Sequence, residues 1–490
     1  MYALHWCLSW RARLYLGHLP TFSQLPLLGS MHLMFGGGKV AFRRFKQLSE
    51  ISEETNKPFI LWVGPRALIF LNDPEEMKIV SNTFVEKPSY YDFGKVWLGD
   101  GLVLAPGDIW KQNIRKIGGT FIRSIVNGYQ DIFNAQARKL VEQLKMEVNG
   151  LPFNARDYIS HVTLETICQT GFGVSQITDN LVTEKYHKAF HRATELIVLR
   201  GTNIFYHPDW VFHRTSAYKE LMECVGIIHN VSETVIKKRK FEREALKSDK
   251  SLNRDNFGKP IFRAFLDILL DLSEIDSTLT DQQIRSEVDT IIVGAQESVA
   301  TALLIVLLMI GNNSDVQTKL YTEIKQIMGD NKRHVDINDL KLMEYCEAVI
   351  MESMRLFPAF PSLMRQVDCD FKLKSCTIPK DTTCIFNIWG AGRSQRLWGP
   401  DADQFVPERW LPPRVPYITF GLAFSIGKRA CIGKTYAINL LKTVLAHCVR
   451  ELTFTSEANN LSFKFDLVLR PISGHLMQVK LRKDSQFDDQ

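Results

Sequence analysis

The sequence predicts a mainly α-helical fold with small β-sheets, and three observations carry that prediction. Apolar residues recur at helical spacing over long stretches, with few strand-like runs between them. Short apolar runs bounded by turn residues are confined to 59–71, to the region after Pro361 and to the C-terminus. Ile291 to Gly311 is almost continuously apolar, as a helix through the middle of a large core would be.

Residues 1–10, MYALHWCLSW, are apolar and are followed by Arg11 and Arg13. A bilayer span needs about 20 such residues, so 1–19 reads as a candidate membrane-interface anchor, with tryptophans at headgroup level, or as a frayed terminus. Pro20 to Gly29 is a proline-punctuated linker. A helix is predicted over 39–51 through Val40, Phe42, Phe45 and Leu48. Phe59 to Val63 and Ala67 to Leu71 read as strands joined at Gly64-Pro65, and Asp73-Pro74-Glu75-Glu76 as a capped helix start. Residues 130–250 are mostly helical in pattern, with Lys237-Lys-Arg-Lys as a solvated face. Further helices are predicted over 315–329 and 338–357, and strands around 370–374 and 383–388, split by a turn at Pro379-Lys-Asp. The last feature reads as a hairpin about Ser473-Gly474, pairing Leu467–Leu469 with Gln478–Leu481. No linker divides 20–490, which reads as one domain.

The net charge is +6 over 490 residues, which suits an acidic partner or a membrane surface. It does not suggest nucleic acid, since no finger spacing or arginine-rich arm is present. Nine scattered cysteines argue against a disulfide framework and for a reducing compartment.

Chemistry concentrates in two places. The first is Phe420 to Gly433, FGLAFSIGKRACIG, followed by a helical run from Lys434 to His447. An isolated cysteine is most often a small buried hydrophobe. Here Cys431 stands at a helix start, where unpaired N–H groups and the dipole favour the thiolate, and a lone thiolate is a haem axial ligand type. The second place is Gln296-Glu297-Ser298, an acid and an alcohol inside the apolar stretch and beside Gly294 and Ala295. A charge at that depth speaks against a transmembrane helix and for a soluble core. It is either paired for structural reasons or functional. The small residues suggest a local kink.

Phe424, Gly427, Arg429, Cys431 and Gly433 match every fixed position of F-x-x-G-x-R-x-C-x-G, and the chain thereby resembles the cytochrome P450 superfamily. Glu287 to Ser298, EVDTIIVGAQES, resembles the oxygen-activating helix of its family 4, in an insect-type flavour. The likeness runs from the 20–29 linker to the final hairpin. It implies the cytochrome P450 fold, non-covalent haem b and a haem-thiolate monooxygenase. Such an enzyme inserts one oxygen atom of dioxygen into a lipophilic substrate, here a fatty acid, a pheromone- or odorant-like lipid or a xenobiotic. Electrons would come from NADPH through NADPH-cytochrome P450 reductase, with cytochrome b5 as a second donor, to a monomer on the cytosolic face of the endoplasmic reticulum membrane. Microsomal members carry a longer anchor, so the start is shortened or incomplete.

The resemblance implies Cys431 as iron ligand, Glu297 and Ser298 as proton donors, and Arg429, Arg365, Trp110, Phe424 and Gly433 around the haem. It also implies a buried structural network of Glu352, Arg355 and Arg409. Lys111, Lys116, Lys428, Lys434 and Lys442 are a candidate basic face for the reductase. The chain departs from the family pattern at four positions. Ser298 replaces threonine and loses the methyl that fixes its rotamer. Gly294 stands where many family 4 members have a haem-esterifying glutamate. Ile114 replaces an arginine, with Arg115 turned about 100° away on a helix. Gly392 replaces a histidine. A haem-thiolate isomerase or dehydratase, or a non-catalytic haem-binding protein, is the alternative. Substrate contacts are expected in 90–110, 195–215 and 360–365.

Overall fold

A computed structural model describes residues 2–174, 184–248, 264–275, 279–330, 332–413 and 419–482. The principal helices in chain order are α1 (Tyr2–Leu16), α2 (Gly37–Thr55), α3 (Pro74–Thr83), α4 (Gly107–Ile117), α5 (Gln130–Lys145) and α6 (Arg156–Phe172). They continue with α7 (Glu184–Thr202), α8 (Ser216–Ser248), α9 (Phe265–Ile275) and the long α10, Asp281–Asn312. The last three are α11 (Ser314–Met328), α12 (Glu344–Leu356) and α13 (Lys434–Glu451). Asp73 caps α3 as its sequence demands: the carboxylate accepts from Glu75 N at 2.9 Å, with Pro74 in the first turn.

One four-stranded sheet flanks the helices. Strands β1 (Phe59–Val63) and β2 (Arg66–Leu71) form the expected hairpin, and β2 continues in parallel to Thr383–Asn387, which pairs antiparallel with Ser362–Gln366. Its two faces bury separate apolar clusters, following the period of two along a strand. Phe59, Leu61, Leu68, Phe70 and Ile385 face the main helical core. Ile60, Trp62, Ile69, Leu71 and Phe386 face a smaller cluster capped by Leu16 and Leu19.

Helix α10 is the axis of the main core and packs against α6, α8 and α12. Leu303 to Leu308 are at most 1% exposed. The helix is long and apolar enough to cross a membrane, but 83% of its most apolar window is buried in protein, which agrees with the core reading.

The structure departs from three sequence expectations. The 338–357 helix is two helices, Ile337–Leu342 and α12, broken at Met343, whose ψ of 68° leaves the helical region. The strand Ser362–Gln366 was not expected. The terminal hairpin about Gly474 does not form. Leu469–Ser473 instead folds back on Ser462–Phe465, and Met477–Leu481 pairs with Leu452–Ser456. The chain does turn at Gly474, where φ is +74° and an added Cβ would strike the Asn460 backbone. The partners follow burial, because Met477 and Val479 must face the core and Val479 reaches it opposite Phe454.

Candidate active site

The loop before α13 is fixed by its own backbone. Cys431 N donates to Phe424 O at 2.8 Å and Ala430 N to Gly427 O at 3.0 Å. Gly427 sits at φ +78° against Ser81, where any side chain would collide, so glycine is required. Gly433 leads into α13, and its N–H bonds towards the Cys431 sulfur. Six of the nine cysteines are buried, whereas Cys431 is exposed along with Cys7 and Cys369. The expectation of a lowered thiol pKa is corrected here. The surrounding protein pushes the Cys431 thiol up, outweighing the lowering by Gly433 N–H and Lys434. A bound metal cation would supply the missing positive charge. Phe424 is partly buried, with Lys434 Nζ 5.7 Å from its ring centroid.

Arg429, two residues earlier, lies 4.9 Å from the Trp110 ring centroid, and its Nη2 donates to Ala105 O at 2.6 Å. Its Nε and Nη1 are buried with no hydrogen-bond partner among the described residues. Arg365, on the strand Ser362–Gln366, is 2% exposed, and its Nε is likewise unpartnered. The structure therefore brings Arg429, Arg365 and Trp110 together. It adds Lys87, which the sequence reading missed, since Phe84-Val-Glu-Lys-Pro has no recognisable pattern. Burial lowers all three cations: Arg429 to about 10, Arg365 below its ordinary value, and Lys87 well below, with Arg365 and Arg429 repelling it further. Glu86 and Tyr91 oppose this on Arg429, but Glu86 is also held by Gly107 N at 2.8 Å. Buried cations without matching anions are costly, and the donor set suits two carboxylates. These residues fit haem propionates, with the accessible thiol of Cys431 in the following loop.

Arg115 is exposed, so it does not take the place that Ile114 leaves. Gly392 is explained by packing: a Cβ there would collide with Arg355 O. Arg355 forks onto Glu352, Nε to Oε2 at 2.7 Å and Nη2 to Oε1 at 2.8 Å, and also donates to Gly392 O and Ala402 O. Trp410 Nε1 and Val406 N complete the Glu352 carboxylate. Arg409 Nε lies 3.4 Å from Glu352 Oε1 while its fork binds Asp401. The three expected members of the network do meet.

On α10 the backbone opens into a π turn over Val293–Glu297, as the small residues foretold, and Ser298 Oγ donates to Gly294 O at 2.6 Å. Glu297 is 4% exposed and pairs with Arg156 Nη2 of α6 at 2.7 Å. Burial raises its pKa, while Arg156 and then Arg470 pull it down. Arg156 was not foreseen; two helices distant in sequence meet there, and no local pattern marks it.

The lysine face is corrected in one member. Lys442 is 5% exposed, donating to Leu340 O and pairing with Glu347 at 2.6 Å. Lys111 and Lys428 are exposed, and Lys116 and Lys434 are partly so.

Comparison with known proteins agrees with this geometry. A family model described as Cytochrome P450 matches residues 19–479. Cytochrome P450 4c21 of Blattella germanica is 31% identical over 473 residues, covering 95% of this chain and 93% of the relative. Cytochrome P450 4V2 of Homo sapiens is 31% identical over 477 residues, 95% of this chain and 90% of the relative. Cytochrome P450 4g15 of Drosophila melanogaster is 27% identical over 554 residues, 98% of this chain and 95% of the relative. The class is that of haem-dependent monooxygenases, oxidoreductases by reaction. The chain belongs to the cytochrome P450 family, and these relatives carry family 4 names.

Proposed function

We propose that the chain inserts one oxygen atom of dioxygen into a lipophilic substrate: a fatty acid, a pheromone- or odorant-like lipid or a xenobiotic. Electrons come from NADPH through NADPH-cytochrome P450 reductase, with cytochrome b5 as an auxiliary donor. The observation that carries the reading is the set of Lys87, Arg365 and Arg429, mutually repelling cations of which Arg365 is buried and Arg429 has buried donors unpaired among the described residues, beside an accessible Cys431. In this reading Cys431 Sγ holds the iron, and the three cations bind the propionates of a non-covalent haem b. Trp110, Phe424 and Gly433 wall the site. When bound, the haem supplies the redox chemistry, with the thiolate donating electron density.

Glu297 and Ser298 supply protons. Burial keeps a proton on Glu297 to higher pH than on an ordinary glutamate, while Arg156 fixes the carboxyl in place and favours release of that proton. Ser298 can hand on its hydroxyl proton at the price of the bond to Gly294 O. Glu352, Arg355 and Arg409 hold the fold behind these groups. Exposed Trp6, Leu8, Trp10 and Leu14 on α1, with Phe205 and Trp210, support monotopic membrane contact, and in this reading the chain is a monomer on the cytosolic face of the endoplasmic reticulum membrane. The one domain would then be 20–490, with 1–19 as the interface anchor.

The test is substrate loss across a lipid panel with haem-loaded protein, NADPH and reductase. Oxygenated product that requires both NADPH and reductase supports the reading. Conversion that proceeds without them would favour an isomerase or dehydratase.

A further inference from the structure

A second recess lies away from these residues. It is a half-open space of about 720 Å³ between α2, the C-terminal ends of α10 and α12, and residues 389–405 and 458–463. That is within the range of small-molecule sites. Met309, in its wall, is about 18 Å along α10 from Glu297 at 1.5 Å per residue. No residue assigned above to the haem or to proton delivery lines it.

Its walls divide by chemistry. Lys39, Arg43 and Lys46 fall on one stripe of α2 at i, i+4 and i+7, and all three are exposed. Arg393 faces them, with Asp403 3.8 Å from its Nε. Four cations against one carboxylate leave the lining strongly positive. The Arg393 guanidinium lies 3.4 Å from the Trp389 ring centroid and 5.2 Å from that of Phe357, so its faces are covered and its edge remains for bonding. On that edge Nη1 is buried without a hydrogen-bond partner among the described residues. Beneath the charges Phe42, Trp389 and Phe463 are at most 6% exposed, with Phe357 and Phe405 beside them. These apolar walls are recessed, unlike Trp6 or Trp210, so they suit a molecule that enters rather than a membrane that is met.

We propose that this recess binds a free long-chain carboxylate. The carboxylate meets the edge of Arg393 and the cations of α2, and the acyl chain lies on the aromatic floor. A guanidinium edge takes two oxygens of one anion through parallel N–H bonds, as a carboxylate offers.

The test uses the haem-loaded full chain and a photoreactive palmitate analogue, with labelled peptides mapped after digestion. Label is expected in peptides spanning 39–46 and 389–405. Palmitate should compete, and hexadecanol and phosphatidylserine vesicles should not. Arg43→Glu combined with Lys46→Glu, both exposed, should lower that label about 10-fold. The substrate-induced shift of the haem Soret band should stay unchanged, which separates this site from the haem site. The proposal is overturned by label that survives charge reversal or is absent from those peptides. Equal competition by hexadecanol or by the vesicles, or tighter competition by hexadecyl phosphate than by palmitate, would also overturn it.

Discussion

Glu297 of α10 and Arg156 of α6 form an ion pair of 2.7 Å whose side chains are 5% and 7% exposed. The pair ties the one acid of the π turn to a second helix. Glu297→Gln should keep the shape and lose the transferable proton. Product formed per NADPH consumed should fall, with a rate loss of about 10²–10⁴. Arg156→Leu should behave differently, because it strands a buried acid and costs about 3–5 kcal/mol of stability. Thermal unfolding and product-to-NADPH ratios measured on both variants check this. Full coupling in Glu297→Gln would remove Glu297 from proton delivery.

Lys87 should show opposite signs in two assays. It repels Arg365 and Arg429 in the protein, so Lys87→Met should raise the melting temperature of the haem-free chain. The same change removes a cation from the proposed propionate cradle, so haem should leave faster, as read by transfer to apomyoglobin. A variant with slower haem loss would exclude Lys87 from the cradle.

The Glu352–Arg355 fork lies at 0% and 2% side-chain exposure, where an unpaired charge has no solvent to turn to. Either residue changed to alanine should cost about 3–5 kcal/mol and yield little haem-loaded protein. A soluble Glu352→Ala variant with full haem occupancy would contradict this.

Asp289 on α10 sets a pH dependence. Burial raises its pKa to about 7 against the help of Ser232 and Arg285, while Glu233 raises it further. His229 Nε2, 3.5 Å away, is itself kept towards neutral by burial. Both folded and unfolded chains hold the proton in acid. From about pH 4 the unfolded chain releases it, and the folded chain keeps it until about pH 7. Stability is thus full below about pH 4 and declines up to about pH 7, at about 1.4 kcal/mol per pH unit. Glu287, raised to about 7 by the same cause, adds a similar decline. Melting temperatures of Asp289→Asn should fall less steeply than those of the wild type over that window. Parallel slopes would show that Asp289 ionises normally.

The sequence made the helices, the β1–β2 hairpin and the thiolate loop legible because their causes are local: apolar period, caps, turn residues and one long pattern. It pointed to Arg365, Arg429 and Trp110 only through resemblance, and to Lys87 and Arg156 not at all. Those two act through space, from segments 278 and 141 residues from Arg365 and Glu297. The terminal strands failed for the same reason. The turn at Gly474 is a local property, whereas the partners of Leu469–Ser473 and Met477–Leu481 are chosen by which faces must be buried. Lys442 misled because a lysine reads as surface unless a buried carbonyl and carboxylate hold it.

Cys431 as the thiolate ligand of a haem is the assignment on which the proposed chemistry depends. The most direct measurement is the absorption spectrum of the reduced, carbon monoxide-treated protein beside that of Cys431→His. The wild type should show a Soret band far to the red of histidine-ligated haem, because thiolate donation lowers the transition energy, and the variant should lose that shift while keeping haem. A wild-type band at the histidine-type position, or a red-shifted band that persists in Cys431→His, would contradict the assignment.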